Sequence, residues 1–267
     1  MHLPADPVQQ GQAERSFGGA EADRSHHLPV AAAQPGPDMA GADHTGVDEA
    51  VQYARDRVQS RPVDGSLKTA APIIHHPDVR RMLMTMRAYT EACRAMASVA
   101  AAAYDAAHHH PDAKVRQDNQ TFYEFLVPLV KGYSTEMSLE VTSLGVQVHG
   151  GMGFIEETGA AQYYRDARIL TIYEGTTAIQ ANDLIGRKTV RDGGAVAKGI
   201  ITQVRATATE LQAVDHADLH AIARRLSDAA DALEQVVASH MGSVCPLGSA
   251  WQVTVGHTLE VQFGIAV

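Results

Sequence analysis

The chain has 267 residues, 45% of them hydrophobic and 20% charged, which is long enough for one large or two small domains with a real core. A formal net charge of −9 argues against a nucleic-acid partner, because phosphate contacts need clustered Lys and Arg. No stretch approaches the roughly 20 apolar residues that span a bilayer, the opening MHLPADPVQQGQAERS is no secretory signal, and two cysteines, Cys93 and Cys245, build no disulfide framework, which points to a reducing cytoplasm.

Residues 1–44 are rich in Pro, Gly, Ala, Asp and His, and VAAAQPGPDMAGADHTG predicts a disordered tail. From 45 to 192 the pattern is that of amphipathic helices. A short one is predicted over 46–59, broken by SRPVDGS. Pro77 starts the next at its first helical position, with Asp78 in the first turn. In it Val79, Met82, Leu83, Met86, Tyr89, Cys93, Met96 and Val99 recur every three or four residues, one apolar stripe running to about Ala107.

A further helix is predicted over 114–145, with Phe122, Phe125, Leu126, Leu129, Val130, Tyr133, Met137, Val141 and Leu144 inward and Pro128 bending it. VHGGMGF stops it. Shorter helices follow near 158–169 and 177–190. After RDGGAVAKG one long helix is expected over about 197–240, within an extension reaching 242, with Ile200, Val204, Leu211, Leu219, Ile222, Leu226, Leu233 and Val237 apolar. Residues 243–267 are β-branched and less periodic, and resist assignment. No internal repeat is evident, and the fold class is an all-α helical bundle.

Two segments could carry chemistry. In QVHGGMGF (147–154), Gly150, Gly151 and Gly153 let the backbone approach an anionic ligand, or simply cap a helix and turn the chain. No strand precedes them, so this is not the dinucleotide fingerprint. In YEGTTAIQ, Thr177 and Gln180 have the spacing of a capping box. Glu174 then lies just before a helix N-terminus, where the dipole favours the ionised carboxylate, while Leu170, Ile172 and Tyr173 would dehydrate it and favour the neutral form. Those opposed influences suit a general base, and Gly175 leaves room for a substrate; an ordinary capping acid is the competing reading. The histidine runs at 26–27, 75–76 and 108–110 are consecutive rather than spaced to converge on a metal, so no metal site is expected.

The stretch QVHGGMGFIEETGAAQYYRDARILTIYEGTTAIQ closely resembles the C-terminal helical domain of the acyl-CoA dehydrogenases, especially their bacterial long-chain branch, over roughly 46–195. The resemblance implies that Glu174 is the base taking the α-proton of an acyl-CoA, that its backbone N–H helps hold the thioester carbonyl, and that Tyr173 and Gly175 border the substrate. It implies FAD as acceptor of the β-hydride, giving a trans-2-enoyl-CoA as in fatty-acid β-oxidation, with electrons passing to an electron-transferring flavoprotein. Gln147, Val148, His149, Gly150 and Gly151 would meet the adenine side of FAD across a subunit interface of a homo-oligomer, and Thr176 and Thr177 its phosphates and ribityl chain. YARDRVQSR resembles Y-A-x-x-R-x-Q-F-G, making Arg57 a candidate for the pyrophosphate; Ser60 and Ala178 depart from the family pattern. Residues 1–44 resemble neither the family's N-terminal helical domain nor its middle β-domain, so a truncated or frame-disrupted product keeping the base-bearing domain is expected. The alternative is a non-catalytic helical oligomerisation module.

Overall fold

A computed structural model describes the backbone of residues 40–241 and the side chains of 46–239; the predictions for 1–39 and 243–267 lie outside the described residues. Helix α1 (Ala40–Asp56) begins upstream of the predicted start and ends three residues short of the predicted finish. The following loop doubles back on itself: Gln59 N–H donates to Ala71 O at 3.0 Å and Ala71 N–H to Ser60 O at 3.0 Å. A single 3-10 turn, Ile73–His75, then leads into α2 (Pro77–His109), with Pro77 and Asp78 placed as the sequence predicts.

Only three residues separate α2 from α3 (Ala113–His149), and a link that short forces the two to run antiparallel. Asp112 caps α3, its carboxylate accepting from Lys114 N–H at 2.7 Å and Val115 N–H at 3.4 Å. At 37 residues α3 is about 56 Å long and serves as the beam of the molecule. It runs uninterrupted through the buried Pro128. Its buried hydroxyls are satisfied by its own backbone: Thr135 donates to Lys131 O at 2.8 Å, and Thr142 to Ser138 O at 2.7 Å.

The apolar faces meet in two separate clusters. Near one end, Val47, Ala50 and Ala54 of α1 pack with Met82, Leu83 and Met86 of α2 and Val141 and Val148 of α3. Towards the other, Ala100, Phe125, Leu126 and Leu129 pack with residues from later elements, Leu184, Ala197 and Val237. Val99 is exposed and does not belong to the predicted stripe.

The C-terminal half departs further from expectation. α3 continues to His149 rather than stopping near 145, and Gly151–Phe154 form a short helix, α4, of their own. α5 spans Ala160–Leu170. The predicted 177–190 helix is α6 (Thr177–Asn182) followed by a π-helical stretch, Asp183–Thr189, whose wide turn lets Thr189 Oγ1 donate to Leu184 O at 2.8 Å. The single long helix expected over 197–240 is two, α7 (Ala195–Gln212) and α8 (Ala217–Met241). The chain reverses at 213–216, where the His216 ring accepts from Asp218 N–H at 3.2 Å, and Arg205 ties the hairpin through Asp231 at 2.6 Å and Glu234 at 2.8 Å. The described residues therefore form an all-α bundle with one isolated β-bridge, and none of their helices is long and apolar enough to cross a membrane.

Candidate active site

α5 delivers the chain to the site. Past Leu170, Ile172 and Tyr173 N–H both donate back to Ile169 O, at 3.0 and 3.1 Å, so the helix ends in a closing turn. Glu174 then adopts φ 52°, the left-handed region that L residues enter at a cost. Ser60 is the other non-glycine residue with positive φ among the described residues. Gly175 continues at φ 96°, a conformation that strains any L residue; a Cβ built there would lie 2.9 Å from Gln180 Nε2, the movable end of a flexible side chain, so the backbone rather than the space calls for glycine at 175.

The turn is fastened to α3 on both flanks. Lys131 Nζ donates to Leu170 O on the incoming side, with its charge 5.1 Å from the centroid of the Tyr173 ring. On the outgoing side Thr177 Oγ1 donates to Glu136 Oε1. Burial pushes Lys131 below the ordinary lysine range, while the carboxylates of Glu174 and Glu136 pull it back. Sequence reasoning missed Lys131 and Glu136, which in sequence are just two polar residues beside an apolar stripe.

Two expectations are overturned here. Thr176, not Thr177, occupies the N-cap and makes no side-chain capping bond; Thr177 is the first helical residue, with its hydroxyl turned to Glu136. Gln180 reaches Gly175 O at 3.5 Å rather than a cap N–H, so the capping box does not form. Nor do the apolar neighbours dehydrate Glu174. Ile172 is 48% and Tyr173 37% exposed, and Glu174 itself is exposed, because the turn projects outward from α3.

The glycine segment lies at the C-terminal end of α3, whereas the turn is held at its middle. Gly150 caps that helix with φ 60°. A Cβ at Gly153 would lie 2.4 Å from Val146 O, so this glycine is required by packing. Added Cβ atoms at Gly150 and Gly151 would meet nothing within 4 Å. Of the other residues predicted here, Gln147 is exposed, whereas Val148 belongs to the first core. His149 is buried too, bonded through Nδ1 to Gly145 O at 2.8 Å, with its ring centroid 4.4 Å from that of Tyr53. The exposed Arg57 follows one helical turn past Tyr53, its N–H bonded to Tyr53 O at 2.9 Å, so its backbone is on the side of the molecule where α1 meets that end of α3. The predicted residues thus fall into two groups, 147–151 with Arg57 and 173–177. From Glu136 to Gly150 is 14 residues of helix, about 21 Å along α3.

Comparison with known proteins gives this arrangement a context. The model of the family described as acyl-CoA dehydrogenase, C-terminal domain, matches residues 36–189. The 3-methylmercaptopropionyl-CoA dehydrogenase of Ruegeria pomeroyi is 61% identical over 180 residues, covering 67% of this chain and 30% of that protein. A broad-specificity linear acyl-CoA dehydrogenase of Mycobacterium tuberculosis is 36% identical over 246 residues, covering 84% of this chain and 40% of that protein. Among solved structures, an acyl-CoA dehydrogenase of Bacillus anthracis complexed with FAD shares the fold, with a TM-score of 0.60 at 19% identity, over 85% of this chain and 39% of that one. The chain therefore spans well under half the length of these relatives.

Proposed function

This chain belongs to the acyl-CoA dehydrogenase family, through its C-terminal domain, and from that premise we propose that it carries the base-bearing part of an enzyme that dehydrogenates acyl-CoA thioesters. The observation that carries the reading is Glu174: an exposed carboxylate held at positive φ on a turn pinned from both flanks. Strained backbone that its surroundings over-determine points to function.

In this reading the Glu174 carboxylate accepts the proton from the α-carbon of the thioester. Its backbone N–H donates to the thioester carbonyl oxygen, which stabilises the negative charge that develops there. The β-carbon gives up a hydride, and the product is a trans-2-enoyl-CoA. Gly175 puts no side chain of its own beside the carboxylate, and the exposed Tyr173 ring offers an apolar wall to the acyl chain.

The residues present fit FAD. Gly150 and Gly151 offer surface backbone that no side chain obstructs, and Gln147, Arg57 and Thr176 are exposed polar groups. Val148 and His149 contribute through backbone alone, their side chains being committed to packing. Thr177 can donate to a ligand only by giving up its bond to Glu136, although its oxygen can still accept. Bound FAD would supply the acceptor for the β-hydride, with an electron-transferring flavoprotein as the onward partner. Proton transfer from carbon also requires water to be excluded around Glu174, and the exposed Ile172, Tyr173 and Ile179 supply apolar surface for a second copy in a homo-oligomer. A cytoplasmic setting suits these partners.

A second reading, a non-catalytic helical module, is favoured by Phe154, which is 83% exposed beside exposed Met152 and Ile155. One preparation separates the two. A catalytic chain purifies with flavin absorbance and reduces an artificial acceptor when given a linear acyl-CoA, and Glu174→Gln abolishes that reduction while leaving the helical spectrum intact. A colourless, inactive, stably helical oligomer refutes the enzymatic reading and favours the module.

A further inference from the structure

We propose that Lys131 is a positioning residue for the Glu174 carboxylate, holding one flank of its turn to α3 while Glu136 holds the other. The proposal rests on reading Glu174 as the base. The two α3 residues are five apart, so along the helix they are displaced by about 7.5 Å and point in different directions. That offset matches the turn they grip. Lys131 takes Leu170 O, four residues before Glu174, and Glu136 takes the Thr177 hydroxyl, three residues after it.

Apolar packing does not explain how the turn is held. Ile172, Tyr173 and Glu174 are all exposed, and Thr171 is the residue of 171–176 that is buried. Two charge-assisted bonds that span 39 and 41 residues of sequence tie the turn to α3. Lys131 is well placed for its share. Its ammonium meets the free carbonyl end of α5, where the helix dipole is negative, and lies near the face of the Tyr173 ring. The groups around it are Glu136 on its own helix and Tyr173 and Glu174 on the turn. Lys131 thereby does two things at once: it fixes where the carboxylate sits and it sets a positive charge within electrostatic reach of it.

The test uses the whole chain without flavin or acyl-CoA. In Lys131→Met, hydrogen exchange at the amides of Ile172 and Tyr173, both bonded to Ile169 O, should quicken by about tenfold while amides around Met86 keep their protection. Lys131→Arg, which can still donate to Leu170 O, should restore it. Unchanged exchange at 172 and 173 in folded Lys131→Met overturns the proposal. A second measurement needs no Lys131 variant and so survives a misfolded one. The side-chain nitrogen of Lys131, followed by NMR as pH is raised, should lose its proton at lower pH in Glu174→Gln than in the unaltered chain, because a carboxylate that held the proton on is gone; an unmoved midpoint overturns the proposal. Neither readout depends on turnover. A chain that shows both effects but never dehydrogenates an acyl-CoA refutes the enzymatic reading and leaves the clamp standing.

Discussion

Replacing Gly153 and Gly151 by alanine separates what packing demands of the glycine run from what a ligand would. At Gly153 the added Cβ falls 2.4 Å from Val146 O, 2.9 Å from His149 Cβ and 3.0 Å from Val146 C. Two of those atoms are backbone of the last turns of α3, so no side chain can swing aside. The short helix α4 must move off the end of α3, an overpacking that costs about 2 kcal/mol. For a described fold of about 200 residues that amount lowers Tm by about 4–8 °C. Gly151 is the control. Its Cβ would meet nothing within 4 Å and its φ is ordinary, so Gly151→Ala should shift stability by less than about 0.5 kcal/mol. Thermal unfolding followed by helical ellipticity measures both. If Gly151→Ala melts as early as Gly153→Ala, the reasoning fails. If the chain binds flavin, Gly151→Ala should weaken that binding without moving Tm, since its backbone is what the ligand would approach.

Other consequences are equally direct. Met86 is fully buried in the first core, so Met86→Ala should cost about 2–5 kcal/mol in chemical denaturation; a loss under 1 kcal/mol would mean that the site collapses around the gap. Asp112→Ala should remove about 1 kcal/mol by leaving the Lys114 and Val115 amides uncapped, and Asp112→Asn should recover most of it. Burial pushes the Tyr133 phenol well above its ordinary 10.0, with Cys93 and Tyr89 adding to the effect. A raised value in the folded chain means that this contribution is intact below the unfolded pKa of about 10 and is lost as pH climbs past it. The denaturation midpoint of Tyr133→Phe should therefore fall less steeply from pH 9 to 11 than that of the unaltered chain, and equal slopes would count against it.

The parts of the fold legible in the sequence are those written in local chemistry. Pro77 with Asp78 announces the start of α2, the three-and-four spacing of Met82, Leu83 and Met86 gives its buried face, and the glycine run marks the end of α3. The reversal between α7 and α8 was missed because its visible cap is a histidine, His216, where Ser, Thr, Asp or Asn would have signalled a stop. The capping box failed by one residue for a tertiary reason: Glu136 claims the Thr177 hydroxyl from 41 residues away. That same distance hides Lys131 and Glu136 as partners of the turn, since pattern along one helix says nothing about what faces it. The turn position of Glu174 ahead of a helix was legible, whereas its exposure was not, because Ile172 and Tyr173 look buried in sequence and sit on an outward bend.

The two clusters strung along α2 and α3 have a mechanical consequence. Between Leu129 and Val141 the buried face of α3 carries Gly132, Thr135, Met137 and Ser138, a stretch poorer in large apolar side chains than the clusters on either side. Met86 packs in the cluster towards the glycine end, and Ala197 in the cluster nearer the hairpin. Lys131 and Glu136 both lie within that stretch. Both moorings of the acid lie on that one helix, in the interval between the two clusters, so a disturbance of either cluster reaches the turn through α3.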